Sequence, residues 1–544
     1  MSRPEVVATA PPAGVAPTCE TDPDILAAYT QDASGVAPGR AAGLIRPRQR
    51  DEAAIFLRAL DPSFKVLCQA ARSSLTAGAV PAGEVVINVE RLDHFGPVER
   101  GAGNARVRVG AGLRLDRLQD RLAAEGLYFP PVPTYKQAMI GGAVSTNAGG
   151  AATFKYGVTR DWVHGLTVLL HDGDRLELER GQCVVPRGGN FTVRTSAGRR
   201  VAVPTPLHEL PALKKISAGY YSSDPLDLVD LFVGAEGTLG LVTDVTLDLV
   251  RLPPTVLTAV IFCSDLAVAL RSTAALRAAA ERARRDADPQ GPDVRAIELL
   301  DGHCLELLRR RGFDRRHRLE LPTAAGAALL LELECARRLD DGQVEERLAA
   351  WFEGNRADDG PLPRLLRILE AEGVCDTLEL AFPSDAGRRE TLAAFREEAP
   401  AAVAEILAQR KRDQPGIRKI AGDMIVPFAH LAEIVEVYRA ELEGRDLQYA
   451  IWGHVSDGNL HPNVLAADER EVARGLEALR AIADKVMLHG GAPLSEHGVG
   501  RDPLKQELLR RFVGDGGITA MRAVRRALDP AGRLAPGTLF PAEG

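Results

Sequence analysis

The residues best suited to chemistry lie in two short segments near the C-terminal end of the chain. Residues 449–462 read YAIWGHVSDGNLHP, and residues 495–500 read SEHGVG. In the first segment Asp-Gly separates two apolar, strand-like runs, which is a hairpin signal. Folding back at this turn would bring His454 and His461 close together. With Glu496 they form a set of two imidazoles and a carboxylate, which suits Zn²⁺ or a similar divalent ion and leaves a coordination position open.

Histidine alone is weak evidence for chemistry, because a single histidine is more often an ordinary polar residue. His497 stands apart because it directly follows Glu496 and adds a third imidazole to the pattern. The chain has 11 histidines. We interpret those outside the two segments, such as His94, His171 and His489, as residues without a chemical role.

The bulk composition limits the classes of protein to which the chain can belong. Its 544 residues exceed what one core usually supports, so we expect two or three domains. The net charge of -7 gives no basic field for nucleic acid, and none is expected as a partner. The 7 cysteines contain no CxxC pair, which argues against zinc ribbons, iron–sulfur clusters and a disulfide framework. We find no signal peptide or membrane-spanning run and expect a cytoplasmic protein.

The elements that must position these residues follow an α+β pattern. The first half alternates strands with helices, for example a helix carrying Leu115, Leu118 and Leu122 and a strong strand at 239–251. Residues 252–256, LPPTV, form a proline break and a candidate domain boundary. Strands and helices alternate again beyond this break, which indicates a second α+β domain.

Two segments of the first half are rich in small residues. Residues 71–79 read ARSSLTAGA, and residues 140–150 read IGGAVSTNAGG. Four glycines among eleven residues are poor material for a helix or a strand, so we predict loops whose backbone N–H groups converge on an anion. A tight turn packed against a neighbouring strand is the alternative for each. The GAGNAR segment at 101–106 lacks the last glycine of a dinucleotide fingerprint and leads into a strand, so a nicotinamide cofactor is not expected.

Three longer segments carry a resemblance to a known family. They are FPPVPTYKQAMIGGAVSTNAGG, KYGVTRDWVHGLTVLLHDG and LFVGAEGTLGLVTDVTL, within residues 129–247. Their order and spacing resemble the FAD-linked oxidases with a PCMH-type, or vanillyl-alcohol-oxidase-like, FAD domain. That family includes D-lactate dehydrogenases, D-2-hydroxyglutarate dehydrogenase and the glycolate oxidase D subunit. The resemblance implies an α+β fold, with a two-subdomain FAD-binding domain and an α+β substrate (cap) domain that has an antiparallel sheet.

The resemblance also implies domain boundaries. We expect a flexible segment at 1–38, the FAD-binding domain at 39–254, the cap domain at 255–520 and a segment returning to the FAD domain at 521–544. Within the last segment, Pro536 and Gly537 are assigned a structural role. The stretch 181–222 is longer than in typical members and stays without an explanation.

Three sets of cofactor-binding residues follow from the resemblance. The first loop would hold the FAD pyrophosphate through Arg72, Ser73, Ser74, Leu75, Thr76 and Gly78. The second would line the flavin through Pro133, Thr134, Gly141, Gly142, Ser145, Asn147, Ala148 and Gly150. The third would lie near the adenine and ribose through Glu236, Gly240 and Val242. The first loop lacks two glycines usual in the family, and it lacks the His or Cys that some members bond to flavin. Non-covalent FAD is therefore expected.

The hairpin and the Glu-His-Gly motif match the C-terminal domain of the same family. The resemblance implies that His454, His461 and Glu496 bind a divalent metal, Zn²⁺ being the first candidate. It further implies that Asn459 contacts the substrate and that His497 is the catalytic base.

A substrate carboxylate also requires a cation, and family members place arginine and lysine upstream of the hairpin. Arg396 and Lys419 are the nearest matches, with Arg418 as a competitor for the second position. An ordinary ion pair stays open as the alternative for Arg396 and for Lys419.

The implied activity is the oxidation of a small D-2-hydroxy acid, similar to D-lactate, with hydride transfer to flavin N5. Electrons would pass to a quinone, a cytochrome or an electron-transfer flavoprotein. The alternatives are a FAD-binding subunit of a multi-component glycolate-type oxidase and an enzyme similar to alkylglycerone-phosphate synthase. We expect a homodimer and leave peripheral membrane contact open.

Overall fold

A computed structural model of the chain describes residues 18–101, 103–131, 133–356 and 358–541. The chain divides into two compact units. Unit 1 comprises Met1–Gly150, Gly157–Arg251 and Ala492–Gly544, and unit 2 comprises Ala151–Tyr156 and Leu252–Gly491. The boundary between Arg251 and Leu252 falls at the start of the LPPTV break, whereas the chain rejoins unit 1 at Ala492, upstream of the predicted residue 521.

Strands form both units, and most of them are short. In unit 1 they are β1 (Gly43–Ile45), β2 (Val66–Gln69), β3 (Val85–Asn88), β4 (Phe95–Arg100), β5 (Ala105–Gly110), β6 (Leu127–Tyr128), β7 (Val163–Leu169), β8 (Arg175–Glu179), β9 (Val184–Val185), β10 (Asn190–Arg194), β11 (Arg200–Pro204), β12 (Leu226–Asp227) and β13 (Leu241–Arg251). In unit 2 they are β14 (Thr255–Cys263), β15 (Asp293–Asp301), β16 (Ala327–Cys335), β17 (Glu379–Ala381), β18 (Ile420–Ala421), β19 (Met424–Ile425), β20 (Tyr449–His454) and β21 (Asn459–Val464).

Helices separate the strands along the chain. They are α1 (Pro23–Ala27), α2 (Arg50–Ala59), α3 (Leu115–Ala124), α4 (Ile140–Thr146), α5 (Thr153–Tyr156), α6 (Leu228–Phe232), α7 (Leu266–Arg285), α8 (Gly302–Arg310), α9 (Phe313–His317), α10 (Asp341–Phe352), α11 (Pro361–Ala371), α12 (Ala386–Asp413), α13 (Leu431–Glu443), α14 (Glu469–Leu488) and α15 (Pro503–Leu528). Among the described residues, no helix combines the length and the apolar character that a membrane span requires.

Unit 1 contains a small parallel sheet and a larger antiparallel one. The parallel sheet has the order β1-β3-β2, and the antiparallel sheet has the order β4-β5-β13-β7-β8 with β6 added to β13. The two β-ribbons β10-β11 and β9-β12 lie within the long 181–222 stretch or pair with it. The C-terminal segment joins β2, since Val66 donates to Arg533 O and Ala535 donates to Val66 O.

The glycine-rich segment at 140–150 corrects the prediction of a loop, because residues 140–146 form helix α4. Gly141 donates its N–H to Ala111 O at 2.7 Å, and a Cβ at Gly141 would lie 2.8 Å from the Ala111 Cβ. Glycine therefore serves a close approach between the helix and the backbone at Ala111, and this packing outweighs the low helix propensity. Asn147 ends the helix in the left-handed conformation, with φ 49°.

The N-terminal segment was predicted to be flexible over residues 1–38. Residues 1–17 lie outside the described part of the chain. Residues 18–38 include helix α1, and Tyr29 packs with Ala41, Leu44 and Val86 in a small apolar cluster. The Gln69 side chain also donates to Tyr29 O at 2.8 Å. This part of the segment is therefore packed within unit 1.

Unit 2 is built on one antiparallel sheet with the order β17-β14-β16-β15-β20-β21-β18, and β19 adds to β21. Strand β16 is buried at every position except Glu332. The segment at 151–156 joins this unit because Lys155 pairs with Asp293 and Glu334 and Tyr156 bonds to Glu334. The predicted antiparallel sheet of the second domain is confirmed.

Candidate functional site

The histidine hairpin predicted from Asp-Gly is confirmed as β20 and β21. Trp452 faces His461 and His454 faces Asn459 across the strand pair. Since side chains two residues apart share a face, His454 and His461 lie on the same face, and their ring centroids are 5.8 Å apart. Both histidines are buried in unit 2. Burial of two imidazoles on one face requires polar partners nearby.

Glu298 of β15 is the polar partner of His454. Its carboxylate accepts from His454 Nδ1 at one oxygen and from Arg396 Nε at the other, the latter at 2.8 Å. Burial works against ionisation, but the adjacent His454 and Arg396 lower the pKa of Glu298 to about 2. The ionised carboxylate only accepts, so a neutral His454 carries its hydrogen on Nδ1 and presents its lone pair on Nε2. A carboxylate that fixes the imidazole in this way is typical of histidine metal ligands.

Arg396 therefore forms the ion pair that the sequence left open as an alternative. Only its Nε is engaged by Glu298, however, and its side chain is 12% exposed. Its two terminal amino groups have no hydrogen-bond partner within the described ranges. Those two donors are suited to binding a carboxylate in a bidentate way. The ion pair thus positions Arg396 without using up its capacity to bind an anion.

The side chains of His461 and Asn459 lie near the short strand β19, where Asn459 forms a hydrogen bond and His461 lies close to a carboxylate. Asp423 Oδ1 lies 3.8 Å from His461 Nδ1, and Asn459 Nδ2 donates to Met424 O at 2.9 Å. The Asn459 Oδ1 atom is buried and has no hydrogen-bond partner in the part of the chain that the structure describes. A buried acceptor in this state is costly unless a ligand or water satisfies it. This fits the predicted contact between Asn459 and a substrate.

Glu496 and His497 belong to unit 1, where Glu496 meets a lysine that the sequence did not connect with it. Lys215 Nζ lies 2.9 Å from Glu496 Oε2, and the Lys215 side chain is 0% exposed. His497 Nε2 lies 3.4 Å from Glu496 Oε1. The Glu496 carboxylate thus has a buried ammonium on one oxygen and an imidazole beside the other. The membership of Glu496 in the metal-ligand set stays a prediction.

Glu236 holds the glycine turn that follows this motif. Its carboxylate accepts from Val499 N at 2.8 Å and from Gly500 N at 2.7 Å, and burial raises its pKa to about 7. Gly498 has a φ of +73° and faces the same carboxylate, so its missing side chain allows this approach. The geometry therefore gives Glu236 a role in the turn, and its place near the adenine and ribose stays a prediction.

The first small-residue loop fits an anion. Arg72 adopts a left-handed conformation with φ 57°. The next three N–H groups, those of Ser73, Ser74 and Leu75, donate no hydrogen bond within the described residues. Successive N–H groups of this kind form a nest that suits a pyrophosphate. The Ser74 hydroxyl accepts from Thr76 N and Gly78 N, which holds the loop closed behind them.

The other predicted cofactor residues are placed mainly by packing. In α4 the Ser145 hydroxyl donates to Gly141 O at 2.7 Å, while Asn147 Oδ1 accepts from Arg160 N at 2.9 Å. A Cβ at Gly240 would lie 2.3 Å from Val168 Cγ1 in β7. The remaining members differ in exposure: Gly142 and Pro133 are half-buried, Thr134 is exposed, and Ala148, Gly150 and Val242 are half-buried or buried. Their contact with FAD stays a prediction.

Lys419 and its competitor Arg418 are both exposed, and Lys419 directly precedes β18. Strand β18 pairs with the hairpin strand β21, whereas Arg396 is bound to the buried carboxylate that also holds His454. The role of Lys419 in binding a substrate carboxylate stays a prediction.

Three functional candidates escaped the sequence analysis: Glu298, Asp423 and Lys215. A signal for the first was present, because Glu298 stands between Ile297 and Leu299 in an apolar strand, where an unpaired charge is rarely tolerated. Asp423 similarly interrupts an apolar segment. No signal in the sequence pointed to Lys215. Its burial and its pairing with Glu496, which lies 281 residues away, result from the fold.

A model of the C-terminal domain of FAD-linked oxidases matches residues 264–539, and a model of a FAD-binding domain matches residues 41–179. The chain is similar in fold to alkyldihydroxyacetonephosphate synthase, with a TM-score of 0.58, 14% identity and coverage of 95% of this chain and 82% of that one. The predicted α+β fold with a PCMH-type FAD-binding domain is confirmed.

Three relatives cover most of the chain. Glycolate oxidase subunit GlcD of Bacillus subtilis is 28% identical over 94% of this chain and 92% of its own length. D-lactate dehydrogenase of Anaerostipes hadrus is 26% identical over 86% and 83%. D-2-hydroxyglutarate dehydrogenase of Xanthomonas citri pv. viticola is 28% identical over 86% and 82%.

Proposed function

We propose that this chain, which belongs to the FAD-linked oxidases, oxidises a D-2-hydroxy acid of the D-lactate type to its 2-oxo acid. Two relatives are named for the oxidation of such acids, D-lactate and D-2-hydroxyglutarate. The choice of a 2-hydroxy acid rests on one observation. Glu298 holds an imidazole, His454, and a guanidinium, Arg396, on a single buried carboxylate.

In unit 2, different residues bind the substrate carboxylate, the metal and the substrate oxygen. Arg396 offers two terminal amino groups for the substrate carboxylate, and His454 and His461 offer imidazole nitrogens for a divalent metal. The buried Oδ1 of Asn459 accepts a hydrogen bond from the substrate. These groups together recognise a carboxylate next to a carbon that bears oxygen. Lys419 is a second candidate cation.

In unit 1, the N–H groups of Ser73, Ser74 and Leu75 hold a pyrophosphate. His497 accepts the proton that the substrate hydroxyl releases and so acts as the general base. Bound FAD supplies a hydride acceptor at N5, and a bound divalent metal lowers the pKa of the substrate hydroxyl. Glu496 is proposed as the third metal ligand, with Lys215 holding its carboxylate in place.

The test is anaerobic flavin reduction by a panel of D- and L-2-hydroxy acids, before and after treatment with a chelator. We expect bleaching by one or more D-acids, loss of the bleaching after metal removal, and recovery with Zn²⁺. Bleaching at an unaltered rate in the chelated protein would refute the metal role. Absence of bleaching by every acid in the panel would refute the proposed substrate class.

A second candidate function is that of a subunit in a larger oxidase. It is supported by glycolate oxidase subunit GlcD, whose match covers a larger share of both chains than the matches of the other two relatives. Glycolate oxidase subunit GlcD matches 94% of this chain, which favours a role as the FAD-binding subunit of a multi-component oxidase. An activity assay on the purified chain distinguishes an independent dehydrogenase from a subunit. Turnover of a hydroxy acid with an artificial electron acceptor by the chain alone supports an independent dehydrogenase, whereas bound flavin without turnover supports the subunit.

A further inference from the structure

A separate group of metal-ligating side chains lies on unit 2, where helix α13 begins and helix α14 ends. His430 precedes the first residue of α13, Glu433 lies in its first turn, and His489 caps the C-terminal end of α14. A spacing of three residues puts His430 and Glu433 on the same side of the helix. One donor atom from each of the three residues lies within 4.8 Å of the others.

The position of the hydrogen on His489 decides what this group can bind. His489 Nδ1 lies 2.7 Å from Lys485 O, and a carbonyl oxygen only accepts, so Nδ1 carries hydrogen. A neutral His489 therefore has its lone pair on Nε2, the atom that lies 3.1 Å from Glu433 Oε1. A backbone carbonyl that fixes the other ring nitrogen is the usual support of a histidine metal ligand.

The second histidine completes the group from the other side. His430 Nδ1 lies 3.8 Å from Glu433 Oε2, and the two imidazole centroids are 5.3 Å apart. His430 and Glu433 are 45% and 61% exposed, whereas His489 is 18% exposed. Two exposed side chains next to one imidazole held by a backbone carbonyl can close around an ion with small side-chain rotations. Solvent is available for the remaining coordination position.

We propose that His430, Glu433 and His489 bind a divalent transition-metal ion, with Zn²⁺ as the reference ion. Two imidazoles and one carboxylate suit Zn²⁺, Cu²⁺ or Ni²⁺ better than Mg²⁺ or Ca²⁺, which prefer oxygen ligands. The ion ties the start of α13 to the end of α14. None of its ligands belongs to the set around the hairpin, so this site is independent of the proposed oxidation.

The experiment measures Zn²⁺ uptake by the flavin-loaded full chain, by equilibrium dialysis followed by elemental analysis. Wild type is compared with His430→Gln, Glu433→Gln and His489→Ala. We expect each variant to bind one equivalent less at a Zn²⁺ concentration that just saturates wild type. Removal of even an outer-shell partner weakens metal binding by about 10–100-fold, so loss of a ligand should exceed that. Zn²⁺ should also raise the melting temperature of wild type more than that of the variants.

The matched control is His303→Gln. His303 is half-exposed and lies 3.3 Å from a carboxylate oxygen of Asp301, but it has no third ligand in the described chain. It should retain the wild-type uptake. Equal uptake by wild type and the exposed variants His430→Gln and Glu433→Gln would overturn the proposal, and so would an equal loss in the control. If the hairpin binds no metal, wild type takes up one equivalent and the three variants none, so the two proposals fail separately.

Discussion

Replacement of Glu298 by glutamine tests whether one buried carboxylate organises the hairpin. The side chain is 3% exposed and accepts from both His454 and Arg396. Glutamine keeps the shape but offers one acceptor, so its amide group must face either the guanidinium or the imidazole hydrogen. One charge-assisted bond is lost, and a buried guanidinium loses its anion.

The pKa of Glu298 gives the size of its contribution to the free energy of unfolding. Glu298 has an ordinary value of 4.5, and the native structure lowers it to about 2. At 1.36 kcal/mol per unit this is worth about 3 kcal/mol of unfolding free energy at neutral pH. Removing one partner of a buried ion pair typically costs about 3–5 kcal/mol, which agrees. We therefore expect E298Q to fold but to unfold at clearly lower urea concentration.

The stability difference between wild type and E298Q depends on pH because the native structure lowers the pKa of Glu298. The contribution of Glu298 is present above its unfolded value of 4.5 and is lost as the pH falls towards its native value of about 2. The difference between wild type and E298Q should be full at pH 7 and should shrink between pH 5 and pH 3. Urea unfolding across this range measures it. Zn²⁺ affinity should fall by about 10–100-fold in the same variant.

Glu332→Gln is the matched control, because Glu332 pairs with Arg295 at 2.6 Å on the neighbouring strand but is 28% exposed. It should cost no more than about 1 kcal/mol. The reasoning about Glu298 is refuted if E298Q matches this control in stability, or if its deficit at pH 7 persists unchanged at pH 3.

Three further predictions concern unit 1. Because burial raises the pKa of Glu236 from 4.5 to about 7, wild type should lose stability relative to Glu236→Gln as the pH rises from 4.5 to 7, by up to about 3 kcal/mol in unfolding measurements. Lys215→Met removes the buried ammonium from Glu496 and should cost about 3–5 kcal/mol, whereas adding Glu496→Gln should recover part of that loss in urea unfolding. Gly141→Ala should lower the free energy of unfolding by about 1–3 kcal/mol through overpacking. Gly142→Ala should be neutral or stabilising, because its Cβ would lie 3.4 Å from the Ala70 Cβ and alanine favours the helix.

The features that sequence predicted are those whose cause is local. Asp457-Gly458 between apolar runs was sufficient for the hairpin, since turn and strand preferences act over a few residues. The alternation of strands and helices beyond residue 256 likewise predicted a second α+β domain. Composition failed at α4, where Gly141 serves a contact with Ala111 that lies far away in the sequence. The low helix propensity of residues 140–146 describes the isolated segment. In the folded chain, packing against Ala111 outweighs it.

The partners of the candidate site could not be predicted for the same reason. Glu298 and His454 are separated by 156 residues, and Lys215 and Glu496 by 281. A charged residue inside an apolar strand indicates that a partner exists, because burial without one is costly, but it does not identify the partner. Only the order of strands in the sheet, with β15 beside β20, joins Glu298 to the hairpin.

Tautomer fixation gives a criterion that separates histidines which look alike in sequence. His489 was interpreted as an ordinary polar residue and His454 as a ligand, yet both have Nδ1 against an acceptor, a carbonyl in one case and a carboxylate in the other. In each neutral imidazole, that contact leaves the lone pair on Nε2. His303 differs, since its Nδ1 faces Asp301 but no group of three ligands forms around it among the residues that the structure describes. Metal binding therefore depends on the second ring nitrogen and on what surrounds it, and this is why the zinc measurements on His303 and His489 should diverge.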